Sequence, residues 1–229
     1  MHALKESGVY DKTAIIFFSD HGDFSGDFGL AEKAQNLLYD SLTRVPLIIK
    51  SPKSAPKEAG VRRQLVELVD IPATVFELAG IVPGYRHFGR SLVPLLIDKR
   101  AEHRDAVFTE GGRLPRKTEA MEKESIEGKA NPLASLWPRL SVQYEDDVAH
   151  GRAVMCRTKR LKHVYRLLEE DELYDLNRDP NETRNLIRDP KLSPTVKRPR
   201  SRLLGFMVET SDVVFKSNER GLASQAASY

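Results

Sequence analysis

Short apolar runs alternate with polar stretches broken by glycine or proline, and the period of each run predicts its element. Ala14-Ile15-Ile16-Phe17-Phe18 is unbroken and mostly β-branched or aromatic. Such a run predicts a central strand buried on both faces, as in a parallel or mixed sheet. Val45-Pro46-Leu47-Ile48-Ile49 predicts a second strand. Between them, residues 31–42 predict a short helix bearing Lys33, with Leu37, Leu38 and Leu42 on its buried side. Residues 63–69 read as a strand. Asp70 as a cap, Pro72 in the first turn and Gly80 as a stop then bound a helix whose Val75, Leu78 and Ala79 face the sheet. Residues 93–97 suit a helical turn, and 106–110 a strand.

Further on, residues 153–158 and 161–166 alternate as two antiparallel strands joined at Lys159-Arg160, with 172–176 as a third. Residues 193–211 predict a helix carrying Leu203, Leu204, Met207 and Val208 on a face that packs over this sheet. Pro199 starts or kinks it. Residues 112–138, rich in Lys, Glu, Arg and Pro, read as an insertion, either a specificity loop or a surface excursion. Residues 216–229 are polar, without a period, and predict disorder. The predicted class is α/β, with residues 1–104 as the larger part, 105–212 as a small subdomain of antiparallel sheet plus helix, and 213–229 as a tail.

Chemistry concentrates where the first strand ends, at Ser19-Asp20-His21-Gly22. A strand end delivers a carboxylate and an imidazole to the carboxyl edge of a sheet, where open α/β folds place their sites. Gly22 lets the backbone turn just after them. Alone, the pair also suits a turn cap and an ordinary histidine hydrogen bond. The residues after Gly22 are more specific: the glycine-punctuated loop 23–30, then Lys33, Tyr39 and Arg44-Val45-Pro46-Leu47-Ile48. Further motifs are Val69-Asp70-Ile71-Pro72, Gly89-Arg90-Ser91-Leu92, Arg157-Thr158-Lys159-Arg160, Glu172-Leu173-Tyr174-Asp175-Leu176 and Asp179-Pro180-Asn181-Glu182-Thr183. In this order, over roughly residues 1 to 212, the chain resembles the carboxyl-terminal portion of the sulfatase family, within the alkaline phosphatase superfamily. The fold implied is part of an alkaline-phosphatase-like sandwich.

The resemblance implies that Asp20 and His21 complete a divalent cation site, commonly calcium, with magnesium or manganese as alternatives. The imidazole leans toward manganese or zinc. It also implies that Lys33 holds the sulfate group, a task that fits a compact ammonium able to neutralise charge building on the ester oxygens. His87, in the loop 86–91, is a candidate substrate contact or the cover of a turn. Asp70 is read as a cap in preference to a further ligand. Sulfatases attack with a cysteine in Cys-x-Pro/Ala-x-Arg, converted to formylglycine. The single cysteine here, Cys156 in Cys-Arg-Thr-Lys-Arg, lacks that pattern and reads as an ordinary strand residue. The expectation is a portion that holds half a metal site and no nucleophile, inactive in isolation, with a missing amino-terminal half as its partner.

Composition adds limits. With 229 residues, 40% of them hydrophobic, the chain can bury a real core. One cysteine excludes an internal disulfide framework. No run of about 18 apolar residues occurs, so no membrane span is expected. The net charge of +3 is mild, and the basic run 197–202 reads as a solvated helix face, so no nucleic-acid partner is expected. The substrate expected is a small-molecule sulfate ester. A phosphonate or phosphate monoester hydrolase of the same superfamily and a non-catalytic fragment remain as alternatives.

Overall fold

The computed structural model describes residues 1–55, 58–117, 133 and 137–211. Cα packing divides them into two units. One holds Met1–Asp20, Pro46–Val107 and the segment beginning at Gly205; the other holds His21–Val45 and Phe108–Leu204.

In the first unit, α1 (His2–Glu6) precedes β1 (Ile15–Phe18), which pairs antiparallel with β2 (Leu47–Lys50) in the register Ile16↔Ile49 and Phe17↔Ile48. This corrects the expected strand buried on both faces. Phe17 is 60% exposed and its cross-strand neighbour Ile48 63%. Two strands alone do not make the flanking layers that bury both faces of a ribbon.

The helix predicted from Asp70, Pro72 and Gly80 forms as α3 (Asp70–Ala79), and Gly80 stops it in the left-handed conformation at φ 65°. Its orientation differs from expectation. Asp70, Ile71, Ala73 and Thr74 are buried, whereas Val75 and Ala79 are exposed. The cause is polar. Asp70 does not cap the helix; its carboxylate accepts from the backbone N–H groups of Glu67 at 2.9 Å and Arg90 at 2.7 Å, and from Arg104 and His103. Thr74 Oγ1 meanwhile accepts from Leu92 N at 2.9 Å. These bonds roll the helix so that Asp70 and Thr74 point inward. They also explain why 63–69 is not a strand: Leu65 makes only an isolated bridge to Arg104, and the 67–70 backbone turns to serve the carboxylate. The turn at 93–97 forms as α4 (Val93–Ile97).

The second unit is built on a four-stranded sheet in the order β3-β4-β5-β6, with β3 (Val107–Gly111), β4 (Ala153–Arg157), β5 (Leu161–Arg166) and β6 (Glu172–Asp175). The last three are antiparallel as predicted. Ala153, Met155, Val164 and Leu38 form one buried apolar cluster. Burying a side chain such as Val164 is worth roughly 1.5–3 kcal/mol. Cys156, cross-strand from His163, is fully buried, in keeping with a packing role.

α5 (Trp137–Glu145) precedes β4 and α6 (Ser193–Ser211) follows β6. Arg200 of α6 lies over the ring of Tyr165, 5.7 Å from its centroid. Of the four apolar residues expected on one covered face of α6, only Leu203 is buried; Leu204, Met207 and Val208 are exposed. Pro199 sits inside the helix. Most of the expected insertion 112–138 and the whole tail 213–229 lie outside the described residues.

Candidate functional site

The segment from His21 to Val45 carries the chemistry, and it is not the helix its leucine spacing predicts. Among residues 31–42 only the start of α2 (Asp40–Thr43) is helical. Instead, residues 36 to 40 lie along β5. Alternation on a strand puts Lys162, Val164 and Arg166 on one face. Each meets a residue of the segment: Arg166 donates to Asn36 O at 3.1 Å, Val164 shares an apolar cluster with Leu38, and Lys162 Nζ lies 3.2 Å from Asp40 Oδ1. Gly112 N donates to Gln35 O at 2.9 Å. Backbone groups that a helix would have bonded internally are satisfied by the sheet unit, so the helix is lost.

Asp40 is the strongest anchor. Arg157 grips its two oxygens at 3.0 and 2.8 Å, and its backbone N–H donates to Glu182 Oε2 at 2.6 Å. Lys162, fully buried, also pairs with Glu182 Oε1 at 2.5 Å. Burial pushes against the charged form of Asp40, but Arg157 and Lys162 outweigh it and hold its pKa below the ordinary carboxylate value. Glu182 goes the other way: burial raises its pKa and Lys162 offsets that only in part. One ammonium thus serves two carboxylates, Glu182 buried and Asp40 half-buried, of which Asp40 is the better ionised.

His21 and Lys33 come together. Lys33 Nζ is 2.7 Å from His21 Nε2, and His21 Nδ1 is 2.7 Å from Gly22 O. A carbonyl oxygen only accepts, so Nδ1 carries the ring proton and Nε2 presents its lone pair. Lys33 donates to that lone pair. Backbone fixing of one ring nitrogen so that the other faces a cation is the arrangement used by metal-ligating histidines. The donor chemistry of His21 alone would suit a divalent ion, but its neighbour here is the Lys33 ammonium. Among the described residues, no group of three or more His, Cys, Asp or Glu side chains is placed to hold one.

Gly22 is needed for space, not for an unusual turn. Its N–H donates to Leu42 O at 2.8 Å, and a Cβ added there would fall 1.9 Å from Ser41 O. Gly22→Ala is expected to cost about 1–3 kcal/mol as an overpacked site, and to separate His21 from Lys33 as the backbone retreats. Loss of the cross-peaks between the two side chains in NMR spectra would register the separation. The neighbouring loop is aromatic: the Phe28 ring lies 4.4 Å from that of Tyr39, and Phe28 holds a left-handed φ of 54°.

The other expected site residues belong to the first unit. Asp20 is its last residue before the chain enters the segment that starts at His21. His87 is exposed, with ring centroids 6.1 Å from Phe76 and 6.3 Å from Tyr85. Asp70 is consumed by Glu67, Arg90, His103 and Arg104 and is no ligand. Sequence reasoning missed Lys162, Arg166 and Glu182 as the groups that seat the segment. The available signal was an ionisable residue on either side of Val164 at the spacing of a strand face.

The family whose model matches is Sulfatase, over residues 1–81. A Delta 4,5-hexuronate-2-O-sulfatase of Bacteroides thetaiotaomicron is 26% identical over 93% of this chain and 38% of its own length. The chain is similar to sulfatases. A multifunctional alkaline phosphatase superfamily protein of Trinickia caryophylli is likewise 26% identical, over 97% of this chain and 40% of that protein. Among solved structures, the phosphonate monoester hydrolase of Agrobacterium radiobacter superposes with a TM-score of 0.70 and 26% identity, over 91% of this chain and 37% of that one. The chain thus spans about two fifths of the length of the proteins it matches. The α/β class follows from the same superposition. Among the described residues, no helix is long and apolar enough to cross a membrane.

Proposed function

We propose that this chain supplies the sulfate-binding lysine and part of the cation site of a sulfuric-ester hydrolase. The observation that carries the reading is the contact between Lys33 Nζ and His21 Nε2. Lys33 binds an oxygen of the ester's anionic group and neutralises charge that grows as the bond to the leaving group breaks. Asp20 and His21 are the donors proposed for a divalent cation, which when bound would supply Lewis-acid polarisation of the same group. The carboxylate and imidazole donors suit manganese or zinc as well as the calcium common in the family. His87 is proposed separately as a substrate contact.

Cys156 is buried in β4 and cannot reach an ester, so the attacking group is proposed to come from outside this sequence, on a partner segment. The 229-residue chain alone is therefore expected to bind inorganic sulfate without turning over an aryl sulfate. Lys33→Ala should weaken that binding by about tenfold or more, the range of a lost charge-assisted hydrogen bond. A sulfate titration followed at the Lys33 and His21 signals checks it. Undiminished binding in Lys33→Ala refutes the assignment.

The superposition on a phosphonate monoester hydrolase supports a second reading, hydrolysis of phosphonate or phosphate monoesters. Sulfuryl and phosphoryl transfer make similar demands on an anion site. Relative turnover of matched sulfate and phosphonate esters by the chain combined with its partner segment separates the two.

A further inference from the structure

On β5, Lys162, Val164 and Arg166 occupy one face, so alternation puts His163 and Tyr165 on the other, beside Cys156, the cross-strand partner of His163. The amino-terminal half of α6 lies over this second face, with Pro199 and Leu203 buried and Arg200 over the ring of Tyr165. One oxygen of Asp171 there has two nitrogen neighbours: His163 Nε2 at 3.1 Å and Arg200 Nη2 at 3.7 Å. We propose that His163 is an acid-sensitive latch for this half of α6: on taking a proton it displaces Arg200 from Asp171 and releases the helix from the sheet.

The surroundings keep the ring neutral. An ionised carboxylate only accepts, so Nε2 carries the imidazole hydrogen and Nδ1 the lone pair. His163 is fully buried, and among the described residues its Nδ1 has no hydrogen-bond partner. A second proton would create an N–H that nothing accepts and a charge out of reach of water. The other groups facing the ring give no relief: Leu173 of β6 is apolar, the Cys156 thiol of β4 is a weak acceptor, and Arg200 of α6 is a like charge. Burial accordingly holds the His163 pKa below the ordinary imidazole value; Asp171 opposes this in part and Arg200 adds to it. The second oxygen of Asp171 accepts from Arg166 N at 3.2 Å, which fixes the carboxylate in place. Of its two cationic partners, Arg200 is the one able to leave, its side chain being 60% exposed. Because the docked state binds the His163 proton less readily than the released state, the hold on the helix is complete above about pH 6.5 and weakens as the pH falls below it.

The single thiol, Cys156, reports the release, since it is fully buried on the face that the helix covers. The 229-residue chain is treated with 4,4′-dithiodipyridine, which reacts with thiols in mild acid, and each rate is divided by that of the urea-unfolded chain at the same pH. From about pH 7.5 to about 5.5 this ratio should rise about five- to tenfold, as expected for one imidazole that is kept neutral only in the docked state. His163→Gln keeps an N–H for Asp171 but does not titrate, and should flatten the rise. Arg200→Ala, at a largely exposed side chain, should raise the ratio already at neutral pH and shrink the acid rise, because the protonated ring then has Asp171 to itself. A ratio indifferent to pH in wild type, or an acid rise of undiminished size in either variant, overturns the latch.

Discussion

Lys162→Ala is expected to destabilise the unit built on β3 to β6 by about 3–5 kcal/mol, the usual cost of removing one partner from a buried ionic group. The side chain is fully buried and opposes two carboxylates, Asp40 at 3.2 Å and Glu182 at 2.5 Å. Arg157 would still hold Asp40, but Glu182 would face a neighbouring carboxylate without the ammonium that now separates them. Because burial already raises its pKa, Glu182 would relieve the charge by taking a proton. The double variant Lys162→Met with Glu182→Gln, apolar at one position and neutral at the other, should therefore recover much of the loss. Hydrogen exchange at the Val164 amide reports this unit directly, and a loss below about 1 kcal/mol in Lys162→Ala would contradict the clamp.

How far the sequence could be read depends on the range of the forces. The helix from Asp70 to Ala79 was legible because its limits are local, with proline in the first turn and a glycine in the left-handed conformation at the end. The strands from Ala153 to Asp175 were legible because alternation and a short basic turn are local too. The segment 31–42 was not. Leu37, Leu38 and Leu42 have helical spacing, yet the deciding contacts come from Lys162, Val164 and Arg166, far along the chain. A single residue, Asp70, likewise turned the buried stripe of its helix away from Val75 through bonds to Arg90, His103 and Arg104. Of the candidate site, Lys33 and His21 were legible through the family motif alone, since nothing in their spacing brings them together. The contact itself was invisible, because it depends on which ring nitrogen the Gly22 carbonyl takes.

Asp70→Asn should produce the second large loss, again about 3–5 kcal/mol, in the unit that contains α3. The carboxylate is fully buried and accepts from two backbone N–H groups, from His103 at 3.1 Å and from two nitrogens of the Arg104 guanidinium. An amide of the same shape keeps the volume but carries no charge, and its NH₂ group turns a donor toward a donor. Glu67, 3.0 Å from Arg104, retains part of the ion pair, and the one oxygen that Asn keeps as an acceptor for Arg90 and Arg104 places it below alanine in severity. Burial disfavours the ionised form of Asp70, yet Arg104, the two backbone donors and His103 outweigh it, and its pKa in the folded chain lies below the ordinary value of about 3.9. A lowered pKa means that the unfolded chain binds the proton more readily. The stability Asp70 contributes is then complete above about pH 4 and disappears as the pH falls through the folded-state pKa. The gap between wild type and Asp70→Asn, measured by urea unfolding with α3 as the reporter, should be constant from about pH 7 to 5 and close on acidification below about 4. A gap that instead widened toward acid would mean that the carboxylate is protonated in the native state and that Arg104 is held by Glu67 alone.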